Sequence, residues 1–250
     1  MATDAPDTGS SELPPSYDSL TDTSANELLQ PTILVLAGQS IHAESADSAP
    51  LYQLNRGIAS LSHATQEVEF SRVERTVRTG SYGEPAIKPR VRHVYNLRHT
   101  GGGAPRSLQS LPSDAPHYFI RAVSRRTVGH VGIKKSRFRS QWKAVQIDVS
   151  GRNSELGLPQ FVRDAGPLFE IRRRGDRYEW TDGDGKDVAV EDEGEDQHRL
   201  LVTASLHRET MDALVALWCC RIWQFSADHK ERIHEGMEGV RRKLRLAKEQ

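Results

Sequence analysis

The run Met211-Asp212-Ala213-Leu214-Val215-Ala216-Leu217-Trp218-Cys219-Cys220-Arg221-Ile222-Trp223 is apolar at every position except Asp212 and Arg221. Between Ala213 and Cys220 no polar residue is available to build a wet face, so a helix made of this run has to be surrounded on all sides. Its thirteen residues rise about 20 Å, short of the roughly 30 Å hydrocarbon core of a bilayer, and both ends carry charge. The surrounding material is therefore protein. Thr203, Ser205, Glu209 and Thr210 are candidate caps, Asp212 in a first turn suits the positive end of the helix dipole, and Arg221 near the other end suits the negative one.

A chain of 250 residues with 36% hydrophobic content has enough apolar side chains for a core in only part of its length, which favours one domain with tails. Its 34 basic and 34 acidic residues cancel, so the total charge gives no reason to expect a specific nucleic-acid partner. The two cysteines, Cys219 and Cys220, are adjacent in the apolar run and point in different directions, so no disulfide joins them and a reducing, intracellular setting is expected. Neither a secretory signal nor an 18-residue apolar stretch occurs. The expected location is cytoplasmic, with or without peripheral contact to a membrane.

Residues 1–30 are rich in Ser, Thr, Asp, Ala and Pro without an apolar period, and are predicted to be a disordered tail. Within them Pro14-Pro15-Ser16-Tyr17 matches the Pro-Pro-x-Tyr pattern read by WW domains, through Pro14, Pro15 and Tyr17; the other reading is a chance match in a Pro-containing tail. From Pro31 on, strand-like runs follow one another: Ile33–Leu36, Leu51–Leu54, Val68–Val77, Val91–Leu97, Tyr118–Val123, Trp142–Val149, Leu168–Arg172, Arg177–Thr181, Val188–Glu191 and Leu200–Leu206. Arg173-Arg174-Gly175-Asp176 and Asp182-Gly183-Asp184-Gly185 mark tight turns of antiparallel hairpins. No strand–helix alternation supports a Rossmann or other parallel sheet. About ten strands before one wholly apolar helix predict a mainly β fold, a closed antiparallel barrel around a buried C-terminal helix. The predicted domain spans 31–226 with its central helix at 211–223. Residues 227–250 follow as a basic tail, either a short amphipathic helix with Val240, Leu244 and Ala247 at helical spacing or a solvated end.

This order, with the late strand Leu200-Leu201-Val202-Thr203-Ala204-Ser205-Leu206 and the apolar helix directly after it, resembles the tubby-like and LURP-one-like superfamily, which includes the phospholipid scramblases. The resemblance covers roughly residues 31 to 226, and it implies a twelve-stranded barrel threaded by a hydrophobic helix. It also implies binding of phosphoinositide headgroups by Lys and Arg on the barrel exterior, although no individual headgroup residue can be carried over. The chain departs from the family pattern in continuing well past the helix.

Between Ala115 and Ile147 stand Arg121, Arg125, Arg126, Lys134, Lys135, Arg137, Arg139 and Lys143, with no carboxylate among them. Converging on one face they would suit phosphates or an anionic lipid surface, with Phe138 and Trp142 at the interface; spread along strands they would be separately solvated. The acidic stretch Asp182–Asp196 fails as a calcium loop of the EF-hand type, because Lys186 stands at its fifth position and Asp187 where the turn needs Gly. Gly101-Gly102-Gly103 opens a flexible connection and not a phosphate-cradling loop. No zinc-protease pair or nucleophile elbow occurs, and neither a cofactor nor a catalytic or metal-ligating residue is expected. The expectation is a non-enzymatic binding module contacting phosphoinositides or anionic membranes; the alternative is an adaptor that recruits a WW-domain partner, such as a HECT-type ubiquitin ligase, through its tail.

Overall fold

The computed structural model describes residues 27–79, 85–101, 112, 114–136, 141–152, 154, 157–193 and 197–248. In chain order these form β1 (Leu28–Leu29), β2 (Thr32–Ala37), β3 (Ser40–Ala43), β4 (Pro50–Leu54), a 3-10 turn at Ile58–Ser60, β5 (Glu67–Thr79), β6 (Pro85–His99) and β7 (Tyr118–Ala122). There follow β8 (Val131–Lys135), β9 (Gln141–Asp148), β10 (Gln160–Phe161), β11 (Pro167–Arg174), β12 (Arg177–Asp182), β13 (Asp187–Glu193), β14 (His198–Val202), β15 (Leu206–His207) and the helix α1 (Arg208–Lys248).

The strand order β9-β11-β12-β13-β14-β2-β3-β4-β5-β6-β7-β8 returns to β9 through the β8–β9 ladder, so twelve antiparallel strands close a barrel. Closure leaves no sheet edge in the ring. The two-residue β10 pairs with the C-terminal end of β9, and β1 pairs with β15 just ahead of the helix. Alternation aims the inner face: in β12 Tyr178 and Trp180 are buried between the outward Arg177, Glu179 and Thr181. Leu34, Phe70, Tyr95, Ile120, Phe169 and Trp180 converge this way on the axis.

That axis is occupied by α1. Every residue from Met211 to Trp223 is buried, and Leu214, Val215, Leu217 and Trp218 are 0% exposed although they point in four directions. A helix satisfied on all sides is what an apolar circumference requires, and the inward row of the strands supplies the partners.

The two polar residues of the run have partners in the barrel wall. Asp212 accepts from the Tyr52 hydroxyl at 2.9 Å and from the Arg72 guanidinium, which also bonds Glu74. Arg221 donates its Nε–H to Glu191 at 3.0 Å, and its guanidinium lies 3.9 Å from the Tyr178 ring centroid and 4.8 Å from that of Trp142. These contacts correct the expectation that helix dipole ends hold both charges. The helix runs on for 41 residues to Lys248, so Arg221 lies in its interior and the Glu191 ion pair places it there.

The other differences from the sequence reading are local. Leu28–Leu29 belong to the sheet and not to the tail, since β15 offers them a ladder and Glu27 pairs with Arg208. The run Leu200–Leu206 is split, with β14 ending at Val202 and β15 beginning at Leu206. Strands β3 and β8 went unread because each is short and interrupted, β3 by His42 and β8 by Gly132. Gly132 is required: a Cβ there would sit 2.7 Å from Pro116 Cβ and 2.9 Å from Ile147 Cγ2. The Pro-Pro-x-Tyr motif and the connection between Gly102 and Leu111 lie outside the described residues.

Candidate functional site

The two ends of the barrel are told apart by the helix. At the proximal end Asp212 meets Tyr52 and Arg72; at the distal end Arg221 meets Tyr178, and the Trp223 indole donates to the Ser62 carbonyl at 3.3 Å as the helix emerges.

The basic segment divides between these ends. Lys134 and Lys143 are directly paired across β8 and β9, outward because their neighbours Ile133 and Ala144 are buried, and Lys135 is opposite Trp142 at the distal end. Arg137 and Arg139 stand in the connection between β8 and β9, outside the described residues. Arg125 and Arg126 lie between β7 and β8 at the other end, where Arg92 of β6 donates to Ser124 at 3.1 Å; the exposed Arg75, Lys88 and Arg90 of the β5–β6 hairpin belong to the same end. Arg121, on the outer wall, lines a cleft of about 260 Å³ with Arg98, Thr100, Phe119 and Leu158. Arg98 is paired with Glu67 at 3.1 Å, and Arg121 has no acidic partner among the described residues.

Sequence reasoning missed what completes the distal group. β11 pairs with β9 so that Arg172 faces Gln141 and Glu170 faces Lys143, and this sets the β11–β12 tip, with Arg172, Arg173, Arg174 and Arg177, beside the β8–β9 tip. The four arginines are consecutive or nearly so in sequence, where Arg173 and Arg174 read as a turn and Arg172 and Arg177 as the strand ends flanking it; only the β9–β11 register makes them neighbours of Lys143.

Part of this rim is already neutralised. Glu170 accepts from Lys143 at 2.6 Å, from Gln141 at 2.8 Å and from Arg172 at 2.9 Å, and the hydrogen bonds from Lys143 and Arg172 hold its carboxyl below the usual range. Arg174 pairs with Glu179 at 3.0 Å. Lys134 lies 5.3 Å from the Phe161 ring centroid. Lys135, Arg173 and Arg177 form no ion pair among the described residues, and Asp192 of β13 is the strand neighbour of Arg177.

Trp142 does not serve the interface expected of it. Its ring packs edge-on to Tyr178 at 5.6 Å and stacks with Arg221, inside the barrel. The cysteine thiols are buried and pushed up by desolvation, which makes them poor nucleophiles. His63, His99, Tyr118 and Trp223 form an aromatic group where the helix emerges; the Tyr118 ring centroid lies 4.6 Å from that of His99 and 5.3 Å from that of Trp223. Among the described residues no group of His, Cys, Asp and Glu is placed to hold a metal ion, and no helix is long and apolar enough to cross a membrane. Compared with protein-family models, with curated proteins and with solved structures, the chain matches none.

Proposed function

We propose that this chain is a tubby-like, non-enzymatic binding module that contacts anionic phosphate headgroups through the distal rim of its barrel. One observation carries the reading: the β8–β9 and β11–β12 tips are adjacent, and together they bring Lys135, Arg173 and Arg177 to one end, where none of the three is held in an ion pair among the described residues although Asp192 is the strand neighbour of Arg177. Guanidinium and ammonium groups arranged around a rim bind phosphate oxygens by charge-assisted hydrogen bonds. Glu170 neutralises Lys143 and Arg172 and, with Gln141, fixes those side chains beside the neighbouring groups.

The test is charge reversal at both ends. Lys135→Glu/Arg173→Glu/Arg177→Glu should retain the parent melting curve and lose binding to a soluble inositol polyphosphate and to vesicles carrying phosphoinositide. Arg90→Glu/Arg125→Glu, at the proximal end, should keep most of both. If the proximal variant loses binding and the distal one retains it, the site has been assigned to the wrong end.

A further inference from the structure

Helix α1 changes surroundings along its length. Beyond Trp223, Ala227 remains buried, Lys230 donates to the Ser60 carbonyl, and Asp228 and Glu231 meet His63 Nε2 at 3.1 and 3.5 Å. With 3.6 residues per turn these positions share the side that rests on the barrel. Phe225, Ile233 and Met237 lie on the other side and are 44%, 50% and 54% exposed. In the sequence Val240, Leu244 and Ala247 continue the same row at intervals of three and four, and the backbone is helical as far as Lys248. The row from Phe225 to Ala247 spans about 33 Å.

Phe225, Ile233 and Met237 facing water along one side are unfavourable there, and Gly236 and Gly239 weaken the helix relative to Ala. Charge decides what covers it. From Val240 to Lys248 the chain carries Arg241, Arg242, Lys243, Arg245 and Lys248 and no carboxylate. Two copies pairing along the row would bring these like charges together at its flanks. An anionic bilayer offers the complement, with acyl chains for the row and headgroups for the cations. The helix also emerges at the barrel end that carries Lys135, Arg173 and Arg177.

We propose that α1 from Phe225 to Lys248 is an interfacial helix that docks on anionic lipid bilayers, its apolar row in the acyl boundary and its cations among the headgroups. The proposal rests on the rim reading above and deepens it by naming a lipid surface as the source of the phosphates.

The experiment uses the full chain with phosphatidylcholine vesicles, with and without phosphatidylserine, and a soluble inositol polyphosphate as a separate probe of the rim. Ile233→Asp/Met237→Asp replaces two exposed residues and should melt as the parent does. It is expected to bind phosphatidylserine vesicles at least about tenfold more weakly while keeping its affinity for the polyphosphate. If it sediments with the vesicles as the parent does, the helix proposal is wrong and the rim reading stands. If the parent ignores the vesicles and shows a concentration-dependent dimer that the variant lacks, the occupant is a second copy and the proposal is overturned. If Lys135→Glu/Arg173→Glu/Arg177→Glu alone loses polyphosphate while vesicle binding follows the helix variant, both readings hold.

Discussion

Arg221 and Glu191 form an ion pair inside the barrel, Nε to Oε2 at 3.0 Å, with side chains only 5% and 3% exposed. The pair is roofed by aromatic rings and completed by the Trp180 indole, which donates to the same carboxylate oxygen at 3.3 Å. Such a pair sets how the helix is rotated within the wall, because neither charge tolerates separation from the other at this depth.

Removing one member should therefore cost more than removing both. Arg221→Met is expected to lower unfolding stability by about 3 to 5 kcal/mol, since it leaves Glu191 charged and buried. Arg221→Met/Glu191→Leu should recover most of that loss. Urea unfolding of the parent, the singles and the double measures it; singles that cost less than the double would remove the pair as the determinant of helix orientation.

Asp212 should behave differently with pH. Burial pushes its carboxyl up to about 6, the effect being only partly offset by Arg72 and the Tyr52 hydroxyl. At pH 7 it is ionised and serves Arg72, whereas at pH 5 it is mostly neutral. Because the folded chain holds this proton more tightly than the unfolded one, Asp212 contributes more stability at pH 5 than at pH 7, so Asp212→Asn is expected to cost more at pH 5 than at pH 7, by about 1 kcal/mol. Equal losses at the two pH values in urea melts would contradict this.

Much of the architecture could be read from residues alone, and the reasons are physical. The apolar circumference of 211–223 left enclosure as its only solution, and strands such as Arg177–Thr181 announced their inward face by alternation. What escaped depended on register or on distance along the chain. Ser40-Ile41-His42-Ala43 has too few apolar residues to declare a strand, and Tyr52 and Arg72 become partners of Asp212 only through closure. Trp142 looked like an interface residue because cations flank it in sequence; the pleat turns it inward, onto Arg221. The rim was half legible: Lys134, Lys135 and Lys143 stood out as a run, and Arg172 to Arg177 joined them through the β9–β11 ladder.

Acid should weaken the fold above the range in which Glu74 and Glu170 titrate. Burial lowers His99 to about 4, and His117, His130 and His198 are also lowered, with desolvation the first cause in each. The unfolded chain takes up these protons near pH 6.5 and the folded chain only further down, so the stability they contribute is present above that value and lost as pH falls toward 4. Asp212 acts in the opposite sense over part of the same window, and Glu74 and Glu170, both lowered, act below it. The melting temperature is expected to fall between pH 7 and pH 5. His99→Gln should remove its share of the fall, about 1 kcal/mol between these pH values after allowance for solvent screening. A fall of the same size in the variant would show that His99 titrates as a solvated ring.

The outer cover of β8 can be tested at Gly132. An added methyl would meet Pro116 at 2.7 Å, Ile147 at 2.9 Å and Phe161 at 3.1 Å, all of them ring or branched carbons in a packed layer. Gly132→Ala is expected to cost about 1 to 3 kcal/mol in spite of its better strand propensity. Thermal melts decide; an alanine variant as stable as the parent would mean that the layer over β8 is loose.

The central claim is that the barrel exists around the helix. Leu217 is 0% exposed, and a carboxylate in its place has no partner among the side chains that surround it. Leu217→Asp should cost several kcal/mol even after its pKa shifts, a large share of the roughly 5 to 15 kcal/mol that holds a domain together. Chemical denaturation of Leu217→Asp, with the exposed Ile233→Asp as the control, is the most direct test. The account predicts that Leu217→Asp has no cooperative unfolding transition while Ile233→Asp unfolds as the parent does; a Leu217→Asp protein with a cooperative transition close to the parent's would contradict it.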